Sequence, residues 1–179
     1  MEQRIIIAGS GGQGILFLGK VIAHAAMKEN KEVTWFPSYG AEMRGGTANC
    51  MVVISDELIG SPIVKNADYL IVLNEASFNK FLTRVSQGGY LIYDSSIIKN
   101  SKCRNDINIY PVEASREASL TGNPRLANMI LLGAFIKIFK TLSIEKVLET
   151  IEEIIPPKRK EMIEINKSLI LRGFSIIEN

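Results

Sequence analysis

Arg4-Ile-Ile-Ile-Ala-Gly-Ser-Gly-Gly-Gln-Gly-Ile15 decides the fold. A short β-branched run that stops at glycine reads as a strand buried on both faces, as in parallel sheets. Gly9, Gly11 and Gly14 then fit G-x-G-x-x-G, with Gly12 and Gln13 filling the turn. From Ile15 to about Lys28 the apolar positions Ile15, Leu18, Ile22, Ala25 and Ala26 keep to one helical face. In such a strand–turn–helix the first glycine allows the tight turn and the second admits a phosphate. The third lets helix and strand pack closely, and the helix start attracts an anion.

Outward from this turn, strands and helices alternate. Glu32 to Phe36 reads as a second strand ending at Pro37, completing a β–α–β unit, and Ala48 to Ile54 as a third. Asp56-Glu57 looks like a tight turn, returning Leu58 to Val64 as a hairpin partner that Pro62 confines to a sheet edge. Ala67 to Leu73, Tyr90 to Tyr93 and Ile107 to Val112 complete the strands. A short helix from Glu75 to Val85 is broken by Gly88-Gly89. The C-terminal part is helical. One helix starts at Asn123-Pro124, and another runs from Ser143, its capping residue, to Ile155. A last one, from about Lys158 to Arg172, is closed by Gly173. The expectation is one domain over residues 1–179, α/β and Rossmann-like, in three layers with a mainly parallel sheet and a helical C-terminal part.

The composition narrows function. The 179 residues are 46% hydrophobic and 22% charged, with 21 Lys plus Arg against 19 Asp plus Glu, a net charge of +2. That balance leaves no electrostatic footprint for nucleic acid or an anionic membrane. Cys50 and Cys103 cannot by themselves ligate an iron–sulfur cluster or a structural zinc, so free thiols are expected. No apolar stretch near the start approaches the ~20 residues of a spanning helix, and no signal-peptide pattern is seen. The expected location is the cytoplasm.

A dinucleotide site also needs an acidic residue at the end of the second strand. Val33-Thr-Trp-Phe-Pro37 has none, so NAD or FAD would lack a second anchor. The glycine turn reads equally as a phosphate cradle and as a packing device. Residues 37–47, Pro-Ser-Tyr-Gly-Ala-Glu-Met-Arg-Gly-Gly-Thr, form the most unusual stretch. A loop leaving the carboxyl end of a parallel strand meets the ligand crevice. There Tyr39 offers a ring and hydroxyl, Glu42 a carboxylate and Arg44 a fork for carboxylate or phosphate. The alternative is a solvent loop in which Glu42 and Arg44 pair with each other. His24 reads as an ordinary helix residue, and Asp94, Ser95 and Ser96 as strand-end turn residues. Asn128 reads as a backbone-bonding polar residue, and Lys158-Arg-Lys160 as a solvated helix start. No nucleophile–base pair emerges, and no catalytic residue is assigned.

Ile7-Ala-Gly-Ser-Gly-Gly-Gln-Gly-Ile15 together with Pro37 to Asn49 resembles the gamma subunit of 2-oxoacid:ferredoxin (acceptor) oxidoreductases. Ile54 to Glu57, Ser61-Pro62, Asn128 to Gly133 and Pro156-Pro157-Lys158 fit as well, so the likeness spans the chain. It is closest to the 2-oxoglutarate and branched-chain branches. The resemblance implies a non-autonomous subunit in the oxidative decarboxylation of a 2-oxoacid to acyl-coenzyme A, carbon dioxide and reduced ferredoxin. Thiamine diphosphate, Mg2+ and iron–sulfur clusters would lie in alpha, beta and delta partner subunits, with coenzyme A as co-substrate. Gly9, Gly11, Gly12, Gln13, Gly14, Tyr39, Glu42 and Arg44 would line the coenzyme or substrate crevice or an interface. The competing reading is a stand-alone Rossmann-like nucleotide- or coenzyme-binding protein.

Overall fold

The computed structural model describes residues 1–39, 47–99 and 104–178. Glu42, Arg44 and Cys103, and the side chain of Tyr39, lie outside the described residues. Six strands form one sheet. They are β1 (Gln3–Ser10), β2 (Glu32–Tyr39), β3 (Thr47–Ser55), β4 (Ala67–Val72), β5 (Val85–Asp94) and β6 (Asn108–Val112), in spatial order β2-β3-β1-β4-β5-β6. β3 pairs antiparallel with β1 and β2, whereas β1, β4, β5 and β6 pair in parallel. The sheet is therefore mainly parallel, with one reversed strand.

The period-2 alternation of strand side chains sorts β1 into two cores. Ile5 and Ile7 face a layer containing α1 (Ile15–Lys28), α4 (Ala127–Phe139), α5 (Ile144–Ile154) and α6 (Lys160–Ile176). The short α3 (Ala114–Ser119) joins the same layer. Ile6 and Ala8 face α2 (Glu75–Phe81) on the other side, with Phe78 and Phe81. Burial on both faces is why β1 lacks polar alternation.

Several local readings change. Leu58 to Val64 is not a strand: β3 is hydrogen-bonded to β2 and β1 on its two edges, so no edge remains. β2 is the true hairpin partner of β3, and it stands apart from β1 rather than beside it in a simple β–α–β unit. β2 also continues through Pro37, which pairs with Cys50, because an edge strand tolerates a missing N–H. The helix read over 75–85 ends at Phe81, followed by a 3-10 turn, Leu82–Arg84. Gly88 and Gly89 belong to β5, where a register shift between Ala67 and Tyr69 accommodates them. α3 was not legible in the sequence, being too short for a periodic pattern. Gly173 does not close the last helix but lies inside α6.

The α5 cap stands as read. Ser143 Oγ accepts the Lys146 N–H at 3.3 Å and donates to Glu29 Oε1 at 2.7 Å, tying α5 to the end of α1. The hydroxyl and backbone N–H of Ser143 hold the Glu29 carboxyl below its ordinary 4.5. A lowered folded value stabilises the protein above about pH 4.5 and is lost as pH falls through it. Ser143→Ala should therefore cost about 1 kcal/mol near neutrality. In urea melts at pH 7 and pH 3.5, the gap between Ser143→Ala and the parent protein should narrow at the lower pH.

Candidate functional site

Three polar side chains hold the glycine turn at the carboxyl end of β1. Gln13 accepts the Ser10 N–H on Oε1 at 2.7 Å and donates from Nε2 to the Leu73 carbonyl at 2.9 Å, joining the turn to the end of β4. Asn74 donates to Ser10 Oγ at 2.5 Å while capping α2 through the Ser77 N–H at 2.8 Å. Ser77 Oγ reaches the Gly9 carbonyl at 3.4 Å. Both ends of the Gln13 amide thus serve the backbone, and this residue shapes the turn.

Gly14 is left-handed, with φ 72°, and a side-chain carbon there would lie 2.3 Å from Asn128 Nδ2. The third glycine of the motif therefore makes room for α4, not for a strand. Asn128 Nδ2 donates to the Gly14 carbonyl at 3.3 Å. Its Oδ1 has no partner among the described residues, although the residue is only 4% exposed. A buried amide oxygen without a donor costs about 1–3 kcal/mol, so this atom calls for a donor from a ligand or water.

Two cavities flank Gly12, which has φ 90° and open space where a side chain would begin. The smaller, about 220 Å³, includes Gln13, Leu73, Ile97, Ser115 and Arg125. The larger, about 430 Å³, includes Phe17, Arg125, Asn128, Arg159, Met162 and Asn166. Arg125 and Arg159 are exposed and make no ion pair among the described residues. Two unpaired cations beside a glycine crest attract an anion.

Ser10 pairs with Thr47, and Tyr39 with Ala48. The backbone of Tyr39 and of Thr47 therefore stands at the end of the sheet that carries the glycine turn. The remaining sequence candidates disperse. His24 is exposed on α1. Asp94 is fully buried and accepts from Ser96 N–H at 3.0 Å and Ser115 Oγ at 2.5 Å. Cys50 is a free, buried thiol pushed up to about 12 by burial, which suits packing rather than nucleophilic chemistry. The basic run 158–160 is exposed at the start of α6, as read, and Arg159 in addition lines the larger cavity. The sequence reading did not single out Asn74, Ser115 or Arg125. Asn123-Pro124-Arg125 was the available signal for one of them, read there only as a helix start. Among the described residues no three His, Cys, Asp or Glu converge as metal ligands, and no helix is long and apolar enough to cross a membrane.

Residues 4–176 match the family model described as pyruvate ferredoxin/flavodoxin oxidoreductase. The chain belongs to this family. It is 38% identical over 173 residues to ketoisovalerate oxidoreductase subunit VorA of Methanothermobacter thermautotrophicus, covering 96% of this chain and 36% of the relative. It is 36% identical over 176 residues to 2-oxoglutarate synthase subunit KorC of Archaeoglobus fulgidus, covering 98% of this chain and 88% of the relative. The chain thus spans about a third of VorA and most of KorC. Among solved structures, the gamma subunit of a keto/oxoacid ferredoxin oxidoreductase from Geobacter sulfurreducens superposes with TM-score 0.85 at 25% identity. The match covers 98% of this chain and 95% of that one. The 2-oxoglutarate:ferredoxin oxidoreductase of Magnetococcus marinus, with 2-oxoglutarate, coenzyme A and succinyl-CoA bound, superposes with TM-score 0.90 at 25% identity. That match covers 98% of this chain and 31% of the other. The three-layer fold is thus that of the family's gamma subunits.

Proposed function

We propose that this chain is the gamma-type subunit of a multi-subunit 2-oxoacid:ferredoxin oxidoreductase and forms one wall of its coenzyme A crevice. One observation carries the reading. The same domain occurs as nearly a whole chain in KorC, and as about a third of longer chains in VorA and the Magnetococcus enzyme. A domain found both separate and fused meets the rest of the fused chain as a partner when it is separate. Alpha, beta and delta partners, with ferredoxin as acceptor, follow from that reading, as do thiamine diphosphate, Mg2+ and iron–sulfur clusters in those partners. The location would be the cytoplasm.

The residues present fit an anionic coenzyme. Gly12 leaves its approach open, Arg125 and Arg159 supply positive charge, and Asn128 Oδ1 awaits a donor. When bound, coenzyme A supplies the thiol that takes the acyl group. This chain's residues bind and orient it. Gly9, Gly11, Gly12, Gln13 and Gly14 form the crest, and Tyr39, Glu42 and Arg44 are assigned to the same crevice or to an interface.

Purification of the tagged chain from its source should bring down larger partners carrying thiamine diphosphate. Calorimetry on the 179-residue chain should show coenzyme A binding, weakened in Arg44→Ala, without tight NAD or FAD binding. Tight NAD or FAD binding by a chain that purifies alone would instead establish the stand-alone nucleotide-binding protein.

A further inference from the structure

The two cavities that meet over Gly12 differ in what they can accept. The larger is lined by Arg125 and Arg159, with Phe17 and Met162 as apolar residues and Asn128, whose Oδ1 is buried, among the others. It suits a group combining an anion, a flat apolar body and a hydrogen-bond donor. The smaller holds Ser115, whose hydroxyl hydrogen is committed to Asp94 Oδ2 at 2.5 Å. Ser115 Oγ therefore offers lone pairs and no hydrogen to a ligand. The Asp94 carboxylate behind it is fully buried and repels a phosphate. Leu73, Ile97, Pro124 and Ala127 give that cavity apolar walls, and Gln13 and Arg125 also line it. It suits a neutral arm bearing N–H or O–H donors.

We infer that the crevice reads its coenzyme in one direction, with the phosphorylated nucleotide half in the larger cavity beside Arg125 and Arg159 and the neutral amide-bearing arm against Ser115 in the smaller. The diphosphate then crosses Gly12, where Arg125 borders both cavities. This rests on the coenzyme A reading above and adds an orientation to it. Asn128 Oδ1 would take a donor from the base or ribose, and Arg159 would meet the 3′-phosphate. Arg159 and Ser115 are then specificity-determining residues for opposite ends of one ligand.

The test uses the full chain and four probes by calorimetry: coenzyme A, dephospho-coenzyme A, adenosine 3′,5′-bisphosphate and 4′-phosphopantetheine. The parent chain should prefer coenzyme A to dephospho-coenzyme A by about tenfold, as a charge-assisted contact predicts. Arg159→Ala should abolish that preference and leave 4′-phosphopantetheine unchanged. Arg159 is exposed with no partner among the described residues, so the variant should fold. Ser115→Ala should weaken coenzyme A and 4′-phosphopantetheine by about threefold to tenfold, a single hydrogen bond, while sparing the bisphosphate. Asp94 keeps the backbone N–H groups of Ser96 and Ser115 in that variant. If coenzyme A binds but Arg159→Ala retains the preference, or Ser115→Ala weakens the bisphosphate equally, the orientation is overturned and the crevice reading survives. If the parent chain binds none of the four, both fall.

Discussion

Gly173→Ala is expected to destabilise the protein by about 3 kcal/mol, the upper part of the overpacking range. For a chain of this length that lowers the melting temperature by about 6–12 °C. The cause is the crossing of α4 and α6. A side-chain carbon on Gly173 would lie 2.0 Å from the Ile130 carbonyl oxygen, and one on Gly133 would lie 1.9 Å from that of Ile170. Both obstacles are backbone atoms, so no rotamer change removes them. Ordinary contact begins at 3.4 Å, and the helices must part to reach it. Parting them opens the core around Ile130 and Ile170, both fully buried. It also shifts Arg159, Met162 and Asn166 at the start of α6, which line the larger cavity. Gly60→Ala is the matched control, since nothing lies within 4 Å of its side-chain position. That variant should be neutral or slightly stabilising. Differential scanning calorimetry of both would decide, and equal melting temperatures would refute the close crossing.

The same glycine shows where local sequence stops being informative. Gly173 followed a helical pattern, as a helix-ending glycine does, and nothing nearby revealed that Ile130 lies against it. Tertiary contact explains the other differences too. Leu58 to Val64 has the composition of a strand, but β3 already had two neighbours. Pro37 looked like a strand end, and the edge position of β2 made it harmless. The β1–turn–α1 unit was legible because each signal is local: a β-branched run, closely spaced glycines and a 3.6-residue apolar period. Site residues divide along the same line. Gly12 and Gly14 announce themselves in a motif. Asn128, Arg125 and Arg159 lie more than 100 residues downstream, and only the packing of α4 and α6 brings them to the turn.

Gly14→Ala is expected to cost about 2–3 kcal/mol of stability and, on the proposed coenzyme A reading, to lose coenzyme binding by tenfold or more. Two causes act together, and they can be separated. A left-handed backbone at φ 72° costs a non-glycine residue about 1–2 kcal/mol. The added methyl also meets Asn128 Nδ2 at 2.3 Å. A side-chain amide can turn away, unlike the backbone at Gly173. Turning breaks its 3.3 Å hydrogen bond to the Gly14 carbonyl and buries a second unpaired group in a residue only 4% exposed. Asn128→Ala alone removes the amide and its unpartnered oxygen, so its stability loss should be small while coenzyme affinity falls. In the double variant the collision disappears and the backbone strain remains. Its stability loss should therefore fall short of the sum of the single losses by about 1 kcal/mol, within the range found for residues in contact. Urea melts of the four proteins measure that coupling. Strict additivity would mean that Asn128 does not touch the turn.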